Sequence, residues 1–164
     1  METKKVAVIG GGAAGFFAAI SVKENHPSHQ VILFEKTSKV LSKVRISGGG
    51  RCNVTHDCSD IPTLCEAYPR GGKKLKSLFY QFSKSDTVDW FESRGIPLKT
   101  EIDGRMFPES NNSQSIIDCL ESEIARLKVT LKLGQTIEQI EQDGIGWKLN
   151  FKDPVSYTHL TLPT

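Results

Sequence analysis

The sequence predicts an α/β fold, in which a βαβ unit seeds a parallel sheet and helices and β-hairpins follow. Three observations carry this expectation. "KKVAVIG" (residues 4–10) and "VILFE" (residues 31–35) are short, β-branched apolar runs, the pattern of strands covered on both faces. Between them a glycine triplet opens onto small and apolar residues at helical density, and a strand, glycine turn, helix and strand in succession make a right-handed crossover with parallel pairing. Further on, the steps Asp103-Gly104 and Asp143-Gly144 sit between alternating residues, as hairpin turns do.

The elements follow in order. The first helix covers about residues 13–23, where Ala13, Ala14, Ala18 and Ala19 favour the helical state, and it stops before Pro27. "KSLFYQF" and "SKSDTVDWFESRG" read as two amphipathic helices, the second capped by Ser85 or Asp86 and closed by Gly95. "SQSIIDCLESEIARLK" sets Ile116, Ile117, Leu120, Ile124 and Leu127 along one stripe of a helix. "VTLKLG" resumes strand character, and "TIEQIEQDGIGWKLNF" forms the second hairpin. The closing "VSYTHLTLPT" begins no recognisable element and resembles translated sequencing-adapter DNA. The expectation is a domain over residues 1–153, incomplete at its carboxy terminus, with a non-native tail over residues 154–164.

Composition narrows the function classes. With 164 residues, 38% of them hydrophobic, the chain is long enough for one ordinary core. A net charge of +2 argues against a strongly nucleic-acid-directed protein, and the local cluster Arg70, Lys73, Lys74 and Lys76 reads as a solvated helix face. No apolar run approaches the roughly 18 to 20 residues that span a bilayer, and the amino terminus does not read as a signal peptide. Cys52, Cys58, Cys65 and Cys119 lack the spacing of a zinc site or a disulfide scaffold, so they read as reduced thiols of a cytoplasmic protein without a metal.

Gly10, Gly12 and Gly15 fit G-x-G-x-x-G in the context that gives it meaning, with a strand before, a helix after and an acidic residue ending the next strand. Gly10 permits a tight turn, Gly12 lets a diphosphate approach the backbone, and Gly15 lets helix and strand pack closely. The diphosphate would sit at the start of the helix, beside Ala13 and Ala14, where amides and the macrodipole favour negative charge. Glu35 is placed to accept from a ribose diol, and its charge disfavours a 2′-phosphate. The unit is therefore Rossmann-like and binds a dinucleotide, although this fingerprint does not separate NAD from FAD.

The second glycine run, "SKVRISGGGRCNVTH", follows no buried strand and so does not repeat the first. Ser47, Gly48, Gly49 and Gly50 would make a loop with amides free to face an anion or a flat ring. Arg51 would add a charge-assisted bond, Asn53 a donor and an acceptor, and Cys52 reads as a small packing residue rather than a redox thiol.

Taken together, "VAVIGGGAAGFFAAI", "KVRISGGGRCNVTH", "YPRGGKKL" and "DGRMFPESNNSQSIIDCL" resemble, in order and nearly without gaps, the amino-terminal part of the BaiN-like flavoproteins, also called the aminoacetone oxidase family. The resemblance covers about residues 4–153. It implies non-covalent FAD at Gly10, Gly12, Ala13, Ala14, Gly15, Glu35 and Lys36, with Lys43, Arg45, Ser47, Gly48, Gly49, Gly50, Arg51, Cys52 and Asn53 in the flavin-proximal segment. It also implies that Ile137 lies on the strand whose backbone meets the adenine. Members of that family are longer, so this chain alone is expected to bind FAD weakly or not at all and to be inactive by itself.

The function expected is that of the amino-terminal part of an FAD-dependent oxidoreductase, acting on a small organic substrate with NAD(P)H as donor. Two alternatives stand beside it: an NAD-dependent dehydrogenase without flavin, and a flavin-dependent RNA-modifying enzyme, motivated by the basic stretch. His56 follows the second glycine run, but a general base needs reach to a substrate, so no catalytic residue is assigned.

Overall fold

The computed structural model describes residues 3–58, 60–152 and 158–160. In chain order, β1 (Lys5–Ile9), α1 (Ala13–Asn25) and β2 (Gln30–Phe34) come first. Then follow α2 (Ser42–Ile46), a tight turn over Ser47–Gly50, β3 (Thr55–His56), α3 (Ile61–Glu66), α4 (Gly72–Phe79), α5 (Lys84–Glu92), β4 (Leu98–Thr100) and β5 (Arg105–Pro108). The chain continues through α6 (Ser113–Arg126), β6 (Thr130–Lys132), β7 (Ile137–Asp143), β8 (Gly146–Phe151) and β9 (Thr158–Leu160). It divides into two compact units, residues 1–43 with 120–164, and residues 44–119.

In the first unit β1, β2 and β6 form a parallel sheet in the order β1-β2-β6, with Lys5 opposite Gln30 and Ile9 opposite Phe34. This is the crossover that the sequence predicts. The two strands differ in cover, however. Central β2 buries Val31, Ile32, Leu33 and Phe34, whereas β1 is only partly covered and leaves Ile9 half exposed. β1 pairs on one side only among the described residues, and an edge strand lacks the second neighbour that would bury it. α1 buries Phe16, Ala19 and Ile20. β7, β8 and β9 form an antiparallel sheet whose first hairpin turns at Gly144 (φ +58°), with Asp143 opposite Gly146. Leu149 of β8 joins Ile32 and Phe34 in the core of this unit, against Ala7, Ile137 and Phe151. Within the tail expected to begin no element, Thr158–Leu160 form β9 against β8, and the other tail residues, 154–157 and 161–164, lie outside the described residues.

The second unit is built on an antiparallel sheet of order β3-β5-β4. Its hairpin turns at Gly104 (φ +80°), whose N–H donates to the Glu101 carbonyl (2.9 Å), and it buries Met106 and Phe107. α5 is capped by Ser83 rather than by Ser85 or Asp86. The Ser83 hydroxyl accepts from the Asp86 amide while the Asp86 carboxylate accepts from the Ser83 amide (2.7 Å). The acid that looks like a cap is thus the third residue of a capping box, which satisfies two donors at once. Gly95 (φ +77°) closes the helix: its N–H donates to Glu92 (2.9 Å) and that of Ile96 to Phe91 (3.0 Å), a Schellman arrangement. α4 begins ahead of the expected helix, at Gly72. α3 answers no expected element and is capped by Asp60, which accepts from the Thr63 amide (2.9 Å), with Pro62 in its first turn.

α6 buries Ile116, Ile117, Leu120 and Ile124, the stripe read from the sequence, while Leu127 lies one residue past its end and is only partly buried. None of the four cysteines is in a disulfide; Cys52 and Cys119 are buried, Cys58 and Cys65 half-buried. Among the described residues no helix is long and apolar enough to cross a membrane, and no group of His, Cys, Asp and Glu could hold a metal ion.

Candidate cofactor site

The first glycine run forms the turn between β1 and α1, and each glycine in it has its own task. Gly10 (φ +106°) donates its N–H to the Phe34 carbonyl at 2.8 Å, which extends the pairing of β1 with β2 by one step. Gly12 opens α1 without any side-chain cap, and a Cβ at Gly10 or Gly12 would meet nothing within 4 Å. Gly15 is the opposite case, because a Cβ there would stand 1.9 Å from the Gly10 carbonyl oxygen and 3.3 Å from Leu33 Cδ1. Gly12, Ala13 and Ala14 are exposed, and first-turn amides have no carbonyl four residues back to receive them. The start of α1 is therefore an open row of donors at the positive end of the helix dipole.

Glu35 follows β2 and is aimed at this turn. Its Oε2 accepts the Gly11 N–H at 2.7 Å, and its Oε1 accepts the Thr37 N–H at 2.8 Å and the Thr37 hydroxyl at 2.9 Å. Partial burial pushes its pKa up, but hydrogen bonds from Thr37 and Gly11, aided by the Lys36 charge, outweigh that and hold it below the ordinary carboxylate value. Glu35 is thus an anion with a fixed orientation, and Lys36 is exposed beside it. Gly11 and Thr37 are the residues that sequence reasoning passed over. A Cβ at Gly11 would lie 2.8 Å from Val40 Cγ1 and 3.0 Å from Glu35 Cβ, so only glycine lets the carboxylate approach. The middle glycine of the triplet was the available signal; for Thr37 there was none.

The second glycine run forms a tight left-handed turn directly after the short helix α2. Lys43, Val44 and Arg45 lie on α2, with Lys43 and Arg45 exposed, and Arg45 Nη1 donates to Gln114 Oε1 at 2.6 Å. The buried Ser113 hydroxyl donates to the Arg45 carbonyl at 2.8 Å. Gly48, Gly49 and Gly50 all adopt positive φ, and the turn closes when Cys52 N–H donates to the Ser47 carbonyl at 3.0 Å. Gly48 is needed for packing, since a Cβ there would stand 2.7 Å from the Phe107 ring, whereas Gly49 faces open space.

Arg51 is engaged within the unit. It pairs with Glu101 through both terminal guanidinium nitrogens, Nη1 and Nη2, and lies over the Phe107 ring, with Cζ 4.0 Å from the centroid. Asn53 oriented with its amide nitrogen inward donates to the Thr55 carbonyl (2.9 Å) and the Met106 carbonyl (3.2 Å). Cys52 is buried, and burial pushes its thiol pKa up despite a hydrogen bond from Ser47, the opposite of what a reactive thiolate requires. His56 is exposed, with Nε2 3.1 Å from the Asp103 carbonyl. Ile137 begins β7, opposite Phe151, in the first unit.

The first unit has the chemistry that an adenine dinucleotide needs: an open helix start for the diphosphate and a fixed carboxylate for the ribose. Space where a Cβ would stand at Gly10 and Gly12 is the direct sign that such a group fits.

Known proteins agree with this reading of the fold. The chain is 29% identical over 143 residues, 87% of its length and 34% of the relative's, to a 3-dehydro-bile acid delta(4,6)-reductase of Clostridium scindens. It is 29% identical over 150 residues, 92% of its length and 36% of the relative's, to a ribosomal RNA dihydrouridine synthase of Escherichia coli. The chain thus spans about a third of the length of the curated relatives it matches. Among solved structures, a flavocytochrome c3 fumarate reductase in its open conformation matches with a TM-score of 0.66, at 22% identity over 98% of this chain and 32% of that one. A 3-ketosteroid-delta4-(5alpha)-dehydrogenase from Rhodococcus jostii RHA1 matches with a TM-score of 0.65, at 12% identity over 98% of this chain and 45% of that one. At such identities these two show the shared fold. The family description matches residues 4–161, and the chain belongs to the HI0933-like protein Rossmann domain family.

Proposed function

We propose that this chain is the amino-terminal FAD-binding part of a BaiN-like oxidoreductase that reduces a small organic substrate at an activated double bond, with NAD(P)H as the electron source. The observation that carries the reading is the bond from Gly11 N–H to Glu35 Oε2, which fixes a carboxylate beside an uncapped helix start. Bound FAD would supply the hydride chemistry. The chain's own residues bind and orient: the amides at Gly12, Ala13, Ala14 and Gly15 hold the diphosphate, Glu35 holds the ribose, and the β7 backbone at Ile137 borders the adenine. The family resemblance also assigns the segment from Lys43 to Asn53 to cofactor binding. The relatives' names support a reduction and differ in substrate, one a bile acid and one ribosomal RNA.

Titration of the purified 164-residue chain with ADP and with FAD tests the reading. Binding of ADP, and of FAD through the same turn, that Gly12→Asp abolishes supports it. Absence of ADP binding, or indifference to Gly12→Asp, overturns it.

A second reading, an enzyme acting on RNA, is favoured by one surface. α4 exposes Lys73, Lys74 and Lys76, and the exposed Tyr68 and Tyr80 flank that helix in the sequence, cations and rings of the kind that bind single-stranded nucleic acid. Salt-dependent retention of RNA separates the two readings.

A further inference from the structure

The residue just ahead of α2 holds a backbone that its side chain disfavours. Leu41 has φ +54°, in the left-handed region where a bulky residue is strained, and its side chain is 1% exposed. Such a conformation persists only where the surroundings impose it, and it points to a task. Here the Leu41 N–H donates to the Gly11 carbonyl at 2.8 Å. The buried side chain keeps the residue in place, and the strained backbone aims its donor at the glycine turn.

In a trans peptide the carbonyl and the following N–H point in opposite directions. With its carbonyl drawn to Leu41, the Gly11–Gly12 peptide turns the Gly12 N–H away from the chain that follows β2. Gly12 is exposed, and its N–H meets no acceptor among the described residues. The peptide on the other side of Gly11 is held as well, since Gly11 N–H donates to Glu35 Oε2 at 2.7 Å. Both bonds come from one connection, residues 35–41, which is braced against the chain after β6. Glu35 N–H donates to the Lys132 carbonyl (2.8 Å), Gln135 N–H to the Glu35 carbonyl (2.9 Å) and Gly134 N–H to the Thr37 carbonyl (3.1 Å). Resting on the proposed dinucleotide reading, we propose that Leu41 is a positioning residue of the cofactor turn, whose left-handed backbone sets the Gly11–Gly12 peptide so that the Gly12 N–H faces the diphosphate.

Titration of the full 164-residue chain with ADP tests this. Replacing Leu41 by its α-hydroxy acid turns the N–H into an ester oxygen, so the buried side chain stays and the donor goes. That variant should bind ADP on the order of tenfold more weakly, the loss expected when one hydrogen bond to a charged group is no longer aligned. Leu41→Gly and Leu41→Ala both keep the N–H and lose the buried side chain, so both should melt at a lower temperature. Glycine, however, holds a positive φ without strain and alanine does not. Leu41→Gly should therefore bind ADP nearly as the unaltered chain does, and Leu41→Ala several-fold more weakly. A role in packing alone requires the reverse order, with glycine the worse. Unchanged ADP affinity in the ester variant, or binding by Leu41→Gly no tighter than by Leu41→Ala, overturns the proposal and leaves the dinucleotide reading intact. Failure of the unaltered chain to bind ADP overturns that reading and this proposal with it.

Discussion

Gly15 lies so close to Gly10 that a methyl group on its Cα would reach to 1.9 Å from the Gly10 carbonyl oxygen. The obstacle is backbone at the end of β1, so it yields only if helix or strand shifts. Gly15→Ala should therefore cost about 3 kcal/mol or more, the upper part of the range for overpacking. Gly12→Ala, at an extended φ of −88° with nothing within 4 Å, should cost less than about 1 kcal/mol. Urea unfolding of the two variants checks the contrast.

Glu35 predicts an acid limb in the stability profile. Its pKa is lower in the folded chain than in the unfolded one, so the folded state favours the anion and binds protons less readily. The stabilisation is therefore complete above the unfolded value and disappears as pH falls through the lower folded value. Chemical unfolding of the unaltered chain and of Glu35→Gln from pH 7 to pH 3 should show a stability difference that closes toward the acid end. Asp57, Asp60, Asp86 and Asp103 are also held low, mainly by hydrogen bonds from Lys84, Thr63, Ser83 and Arg105, which is why the difference between the two chains is the quantity to read.

Arg51 contributes through shape as much as charge. Its planar group spans Glu101 and covers Phe107, and a lysine can do neither. Arg51→Lys should lower stability by about 1 kcal/mol, a partly exposed pair and one ring contact being the loss. Thermal unfolding measures it.

The α4 lysines separate the two functional readings quantitatively. The small-molecule reading expects no retention of a labelled single-stranded RNA by the chain at low salt. If RNA is retained, replacing Lys73, Lys74 and Lys76 with alanine should reduce the slope of log affinity against log salt by about 2, as three lost phosphate contacts require. Fluorescence anisotropy across a salt series reports the slope.

The parts of this fold written locally were legible. The βαβ unit, both Asp-Gly hairpins, the stripe of α6 and the closing role of Gly95 depend on residues within a few positions of one another. What the sequence hid depends on distant partners. Ser83 and Asp86 both look like caps, and only the reciprocal bonds decide between them. The partial exposure of β1 follows from its place in the strand order, which no single strand encodes. At the site, Glu35 could be placed from the fingerprint, but its bond to Gly11 crosses 24 positions. Arg51 read as a free cation because Glu101, its partner 50 positions on, carries no mark of the pairing.

The placement of the thiols gives this protein a practical property. Every cysteine falls within residues 44–119, and the other unit has none. A thiol-specific dye should label Cys58 and Cys65 quickly and reach Cys52 and Cys119 only when their surroundings breathe. The slow phase then times the opening of that unit alone, on the unmodified chain, without an introduced probe.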